Sequence, residues 1–145
     1  MYTIIKMIPV GLIFTSELIG KEVLGETSKS IYSSISNISN FNETFLIKTI
    51  EELDLLKKIE IVNSLYDNNP NLKSKTVTLA LNNVHDISVK IENELKDIEK
   101  DIEYFKTLYF QYIRGLPYME KITNLKKHSK ILDDRLNLLI QLLSL

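Results

Sequence analysis

His85 and His128 are the two histidines of the chain, and histidine is a common metal ligand and proton carrier near neutral pH. A di-metal centre in a four-helix protein uses Glu-x-x-His on two helices. Asn82 and Leu125 stand three residues before the two histidines, so the motif fails at both places. We expect no metal site here. We expect both histidines to be solvated or at the rim of a core, with His128 partly buried.

Residues 20–27 have the glycine spacing of a phosphate-binding loop. That loop needs a lysine directly after its second glycine, because the lysine reaches the phosphates. Glu26 follows Gly25 instead, and its carboxylate would repel a nucleotide. The sequence therefore predicts no cofactor site in this segment.

Carboxylates between positions 92 and 103 could be imagined as catalytic pairs. They alternate with lysines at helix-neighbour spacing, which is typical of the solvated face of a long helix. No serine, histidine and acid combination has the local context of a nucleophilic site. The sequence therefore predicts a protein that is not an enzyme and has no catalytic residues.

The chain has 145 residues, no cysteine and a formal net charge of −1. This length predicts one domain, residues 1–145. The lack of cysteine excludes disulfides and thiolate metal sites, and the balanced charge argues against nucleic-acid binding. A single alanine and two arginines, in a chain rich in isoleucine, asparagine and lysine, are typical of an AT-rich genome.

Turn signals divide the chain into four predicted helical segments. Breaks at 40–44, at 67–71 and at Gly115 to Pro117 leave segments 10–38, 44–67, 74–114 and 117–144, after an irregular or extended apolar segment 1–9. Asp54 could begin a new helix inside the second segment. The predicted fold class is all-α.

Apolar residues recur every seven positions in the third and fourth segments, as in a coiled coil. The rows of the third segment are Val77, Val84, Ile91, Ile98, Phe105 and Tyr112, beside Leu81, Ser88, Leu95, Ile102 and Tyr109. Those of the fourth are Tyr118, Leu125, Leu132 and Leu139, beside Ile122, Ser129, Leu136 and Leu143. Each pair of rows forms one helical stripe that must be buried.

The short connection between these segments predicts an antiparallel hairpin, helix 74–114 against helix 117–144. Residues 86–103 hold seven acids and three lysines, whereas residues 120–130 hold four lysines and one acid. Antiparallel pairing places the acidic stretch beside the basic one. We therefore expect an antiparallel bundle of about four helices built on this hairpin.

Three regions carry more apolar or aromatic surface than the stripes require. They are the N-terminal stretch, the end of the third segment and the C-terminal tail, which is apolar nearly all round. Each could complete the core or meet a partner. The candidate surface residues are Leu12, Phe14, Tyr104, Phe110, Arg114, Leu138, Leu142 and Leu145.

The N-terminal apolar run is too short to span a bilayer. Three interpretations are open for it: a buried or partner-facing segment, an interfacial membrane helix, or a cleaved targeting signal. The usual small-residue cleavage site is missing, so we expect a protein that is not secreted.

Four stretches of the chain resemble uncharacterised small helical proteins of large double-stranded DNA viruses. They are residues 25–32, residues 52–59, residues 85–115 and residues 132–136. The resemblance implies a viral source, with AT-rich bacteria and protozoa as the alternatives. We expect an intracellular location, which for a viral protein is the host cytoplasm or the virion. It implies no catalytic or ligand-binding residues.

Together these observations predict a non-enzymatic interaction or structural protein that binds itself or a protein partner, such as a virion component or virus–host adaptor. The alternative is a membrane-interface protein that uses residues 1–19.

Overall fold

A computed structural model describes residues 21–41, 44–68, 74–106 and 119–144. These ranges form α1 (Lys21–Ser39), α2 (Thr44–Leu53), α3 (Leu55–Asn68), α4 (Lys75–Lys106) and α5 (Met119–Leu143), and they contain no strand. The predicted all-α class is therefore confirmed. The predicted helical residues 10–20, 107–114 and 117–118 lie outside the described ranges, as do residues 1–9 and the turn of the hairpin.

Asp54 divides the second predicted segment into α2 and α3. Its φ of 53° is left-handed, a conformation that asparagine and aspartate tolerate better than most side chains. The amide of Asp54 donates to the Glu51 carbonyl at 3.1 Å, and its own carbonyl accepts from the Lys58 amide at 3.3 Å. Asp54 thus ends one helix and begins the next, as the sequence suggested.

Ser74 stands directly before α4 and caps it. The Val77 amide donates to the Ser74 hydroxyl at 3.4 Å, and the Thr78 amide donates to the Ser74 carbonyl at 3.0 Å. The first bond satisfies an amide of the first turn that has no backbone partner within the helix, and the second is the first backbone bond of the helix. The predicted start of this helix at residue 74 is confirmed to within one residue.

The four longer helices surround one core. α4 packs between α1 and α5, and α3 contacts both α1 and α5, so that the helices form a ring in the order α1, α4, α5, α3. Bonds from Thr27 to His85 and from Asn37 to Glu99 show that α1 runs parallel to α4. α2 packs against α1 beside this ring.

The seven-residue rows form the centre of this core. The row residues of α4 from Val77 to Ile102 are buried, and so are those of α5 from Ile122 to Leu139. Two serines interrupt the rows, and both have hydrogen bonds: Ser88 donates to the Val84 carbonyl at 2.9 Å, and Ser129 accepts from Lys58 at 3.2 Å. The predicted stripes are confirmed over the described residues.

Three polar contacts establish that α4 and α5 are antiparallel. Lys121 Nζ lies 2.8 Å from Asp101 Oδ2, and His128 Nε2 lies 3.8 Å from Glu94 Oε1. Further along, Arg135 Nη1 donates to the Asn83 carbonyl at 2.8 Å. Residue numbers rise on α5 as they fall on α4. The acidic stretch therefore lies beside the basic one, as predicted.

Candidate interaction surface

The outer face of α5 carries apolar side chains that the bundle does not cover. Ile131 is 37% exposed and Leu138 is 52% exposed, while Leu142 is partly buried. Spacings of seven and four residues place the three on one helix face, which we call the α5 outer face. The fully buried Leu125 and Leu132 belong to the opposite, core-facing row. α5 therefore has a second apolar stripe directed away from the core.

Exposed apolar side chains are concentrated on α5. Across the described ranges nine large apolar side chains are exposed, and four of these are on α5: Met119, Ile131, Leu138 and Ile140. Single exposed apolar residues are ordinary on protein surfaces, but several on one face indicate an interaction site. Ile131 and Leu138 share one face two helical turns apart, and this makes the face the candidate for such a site.

Charged residues lie between these two apolar side chains. Asp134 is exposed, and Arg135 is partly exposed with one guanidinium nitrogen bonded to the Asn83 carbonyl of α4. The guanidinium group has five N–H donors, so this bond leaves others for a further acceptor. The sequence order along the outer face is thus apolar, acidic, basic, apolar.

Other charged residues attach α5 to the bundle and take no part in the outer face. Lys58 Nζ of α3 lies 2.8 Å from Asp133 Oδ1 and 3.2 Å from the Ser129 hydroxyl. One lysine therefore connects α3 to two successive turns of α5. This contact joins α5 to α3, and the Arg135 bond joins α5 to α4.

The predicted surface residues do not all come together. Leu138 and Leu142 lie on the α5 outer face, near its C-terminal end. Tyr104 is 63% exposed on α4, but the Lys121–Asp101 contact places it near the opposite end of α5. At 1.5 Å per residue, that end is roughly 30 Å from Leu138. Leu12, Phe14, Phe110, Arg114 and Leu145 lie outside the described residues.

Sequence reasoning missed Ile131 as a surface residue. It precedes Leu138 by seven positions, and this spacing was available as a signal.

His85 is buried, at 6% exposure, so the prediction of a solvated or rim position is wrong. It lies on the α4 face that contacts α1, where its Nε2 is 3.3 Å from the Thr27 hydroxyl. Thr27 donates its one hydroxyl proton to the Val23 carbonyl at 3.1 Å, so His85 Nε2 must be the donor in the contact with Thr27. Burial lowers the pKa of His85, an effect opposed by the nearby carboxylates of Asp86 and Glu92. His85 is therefore a neutral core residue.

A second polar pair continues this layer toward α3. Ser28 donates to the Leu24 carbonyl at 2.9 Å, and the side-chain amide of Asn63 donates to the Ser28 hydroxyl at 3.1 Å. Small hydroxyl side chains on α1 thus let the helices approach closely while their polar atoms are satisfied. This layer is part of the packing.

His128 is half-buried, as its place between Leu125 and Leu132 predicts. Its Nδ1 is buried and has no hydrogen-bond partner among the residues that the structure describes, while its Nε2 faces Glu94. Within the described residues, no three histidine or carboxylate side chains are grouped to hold a metal ion. In the same part of the chain, no helix is both long and apolar enough to cross a membrane.

The described residues thus define an all-α helical bundle with an apolar outer face on one long helix. The chain is 30% identical over 112 residues to an uncharacterised protein of Acanthamoeba polyphaga mimivirus. The match covers 77% of this chain and 54% of that protein, so the chain spans about half the length of its relative. This similarity confirms the resemblance to uncharacterised proteins of large double-stranded DNA viruses.

No protein-family model matches the chain, and no solved structure matches it.

Proposed function

We propose that this chain is a non-enzymatic interaction protein that binds itself or a protein partner through the α5 outer face. The observation that carries the proposal is the exposure of Ile131 and Leu138 on one face of a helix whose other face is fully packed. Covering this face would remove apolar surface from water, at roughly 25 cal/mol per Å². A protein partner offers the shape complementarity that such a face needs.

The similarity to a mimivirus protein supports a viral context for this binding. In that context the protein acts as a virion component or as an adaptor between viral and host proteins, in the host cytoplasm or the virion. The near-neutral charge favours a protein partner over nucleic acid.

Site-specific photo-crosslinking tests the proposal. A photoreactive phenylalanine analogue replaces Leu138 in the full chain, and a matched variant carries it at Val23, which is equally exposed on α1. We expect a discrete crosslinked protein, either a second copy or another chain, from position 138 and not from position 23. Equal and diffuse labelling from the two positions would contradict the proposal.

The apolar run at 7–14 supports a second candidate, binding to a membrane interface through residues 1–19. Flotation with liposomes distinguishes the two functions. Membrane binding predicts that the full chain floats and that a chain lacking residues 1–19 does not. The interaction function predicts that the two chains behave alike in flotation. It also predicts that crosslinking from position 138 does not require lipid.

A further inference from the structure

We infer that the partner of the α5 outer face is a second copy of this chain, docked with its α5 antiparallel to the first. The inference rests on the proposed function and identifies its partner. The twofold axis passes between Asp134 and Arg135.

The α5 outer face is complementary to itself when it is reversed. Antiparallel pairing about an axis between positions 134 and 135 places Ile131 of each copy opposite Leu138 of the other. The same register places Asp134 opposite Arg135. A twofold interface requires this property, because the same patch must fit itself. An isologous dimer therefore makes each of these two pairings twice.

Electrostatics disfavours the parallel alternative. Parallel in-register helices would place Asp134 opposite Asp134 and Arg135 opposite Arg135. Like charges in register are destabilising, whereas opposite charges specify orientation more than they add affinity. Asp134 is exposed, and Arg135 keeps donors available beyond its bond to the Asn83 carbonyl. The charge pattern therefore selects the antiparallel arrangement.

The face is small, and this determines the strength of the dimer. Stable interfaces usually bury about 1,200–2,000 Å² in total, and smaller ones belong to weak or transient complexes. A face about three helical turns long belongs to the smaller class. We therefore expect a dimer that dissociates on dilution.

Disulfide capture between two variants tests the register. The chain has no cysteine, so Ile131→Cys and Leu138→Cys each introduce a single thiol. The antiparallel register brings position 131 of one copy to position 138 of the other. It separates identical positions by seven residues, or about 10 Å along the axis. A disulfide requires Cα atoms within about 7 Å, so only the mixed pair fits.

The three samples are oxidised mildly as full-length chains. The mixture of the two variants should form the 131–138 disulfide at least several-fold faster than the Ile131→Cys variant forms a 131–131 disulfide or the Leu138→Cys variant forms a 138–138 disulfide. Faster crosslinking of the single variants would overturn the antiparallel register. Equal, slow crosslinking in all three samples would overturn the dimer.

A charge exchange tests the central pair. Asp134→Arg should weaken dimerisation at least tenfold, since each Arg135 then faces another arginine. Adding Arg135→Asp should restore much of the loss, because the pair is re-formed with reversed signs. Circular dichroism checks that both variants remain helical, because Arg135 also bonds to α4. A folded double variant as weak as the single one would contradict the pairing.

The failure of this inference can be told apart from the failure of the proposed function. If the chain stays monomeric and the mixed disulfide does not form, the second copy is excluded. Photo-crosslinking from Leu138 to a different, discrete protein would then still support the proposed function. If that labelling is diffuse as well, both fail.

Discussion

At the residue scale, His85 couples the packing of α1 against α4 to pH. Its burial keeps the imidazole neutral in the folded state, with a pKa below the ordinary value of 6.5. The unfolded chain binds a proton there as the pH falls through about 6.5, whereas the folded chain does so only at lower pH. The unfolded state then holds more protons, so the free energy of unfolding must fall with decreasing pH in this window.

The His85→Gln variant should therefore show a smaller loss of stability between about pH 7.5 and about pH 5.5 than the natural chain. Urea unfolding at several pH values measures this slope. His128→Gln is the matched control. It should retain the part of the pH dependence of the unfolding free energy that comes from His85. An identical slope in the His85→Gln variant would show that His85 does not titrate in the manner its burial implies.

Substitutions at Asp54 test the left-handed backbone conformation between α2 and α3. Its φ of 53° is costly for most side chains and free of strain for glycine. Asp54→Gly should leave the free energy of unfolding unchanged or raise it by up to about 1 kcal/mol, and Asp54→Ala should lower it by about 1 kcal/mol. Thermal and urea unfolding report both. An alanine variant more stable than the glycine variant would contradict the left-handed junction.

At the scale of elements, Lys58 connects α3 to α5. Lys58→Met removes the donor to the buried Ser129 hydroxyl and the ion pair with Asp133. We expect a loss of about 1 to 2 kcal/mol, because a buried hydroxyl is left without a partner. The exposed neighbour Lys57 gives the control: Lys57→Met should change the unfolding free energy by less than about 0.5 kcal/mol. If the two variants lower the unfolding free energy equally, the Lys58 contacts do not stabilise the packing of α3 against α5.

Element-level prediction from sequence succeeded where periodicity was strong. Rows with one apolar residue every seven positions predicted the buried faces of α4 and α5, because a helix repeats its facing positions at nearly that interval. The short connection between the two segments predicted their antiparallel order, and the opposite charges agreed with it. The division at Asp54 was also foreseen, since aspartate favours helix ends.

The second buried face of α4 could not be predicted in the same way. Thr78 and His85 lie seven residues apart on it and are both buried against the bundle. Their side chains are polar, so hydropathy assigns them to the surface. Thr27 supplies a hydrogen-bond partner that lets His85 be buried, and this pairing across 58 positions has no local signal in the sequence.

At the scale of the whole molecule, the bundle uses the two sides of α5 differently. One side completes the core with leucine and isoleucine, and the other keeps Ile131 and Leu138 in contact with solvent. The amino-acid sequence predicts an apolar excess in the C-terminal tail, and it also predicts candidate surface residues around Tyr104. The structure separates these two regions, because they lie toward opposite ends of α5.

Sedimentation equilibrium of the full chain over a wide concentration range tests the central claim most directly. The account predicts a mass that rises toward that of a dimer in the natural chain and in Ile140→Lys, which changes an exposed apolar residue on another face of α5. Leu138→Lys should remain monomeric and helical. A natural chain that stays monomeric throughout, or a Leu138→Lys chain that dimerises equally well, would contradict self-association through the α5 outer face.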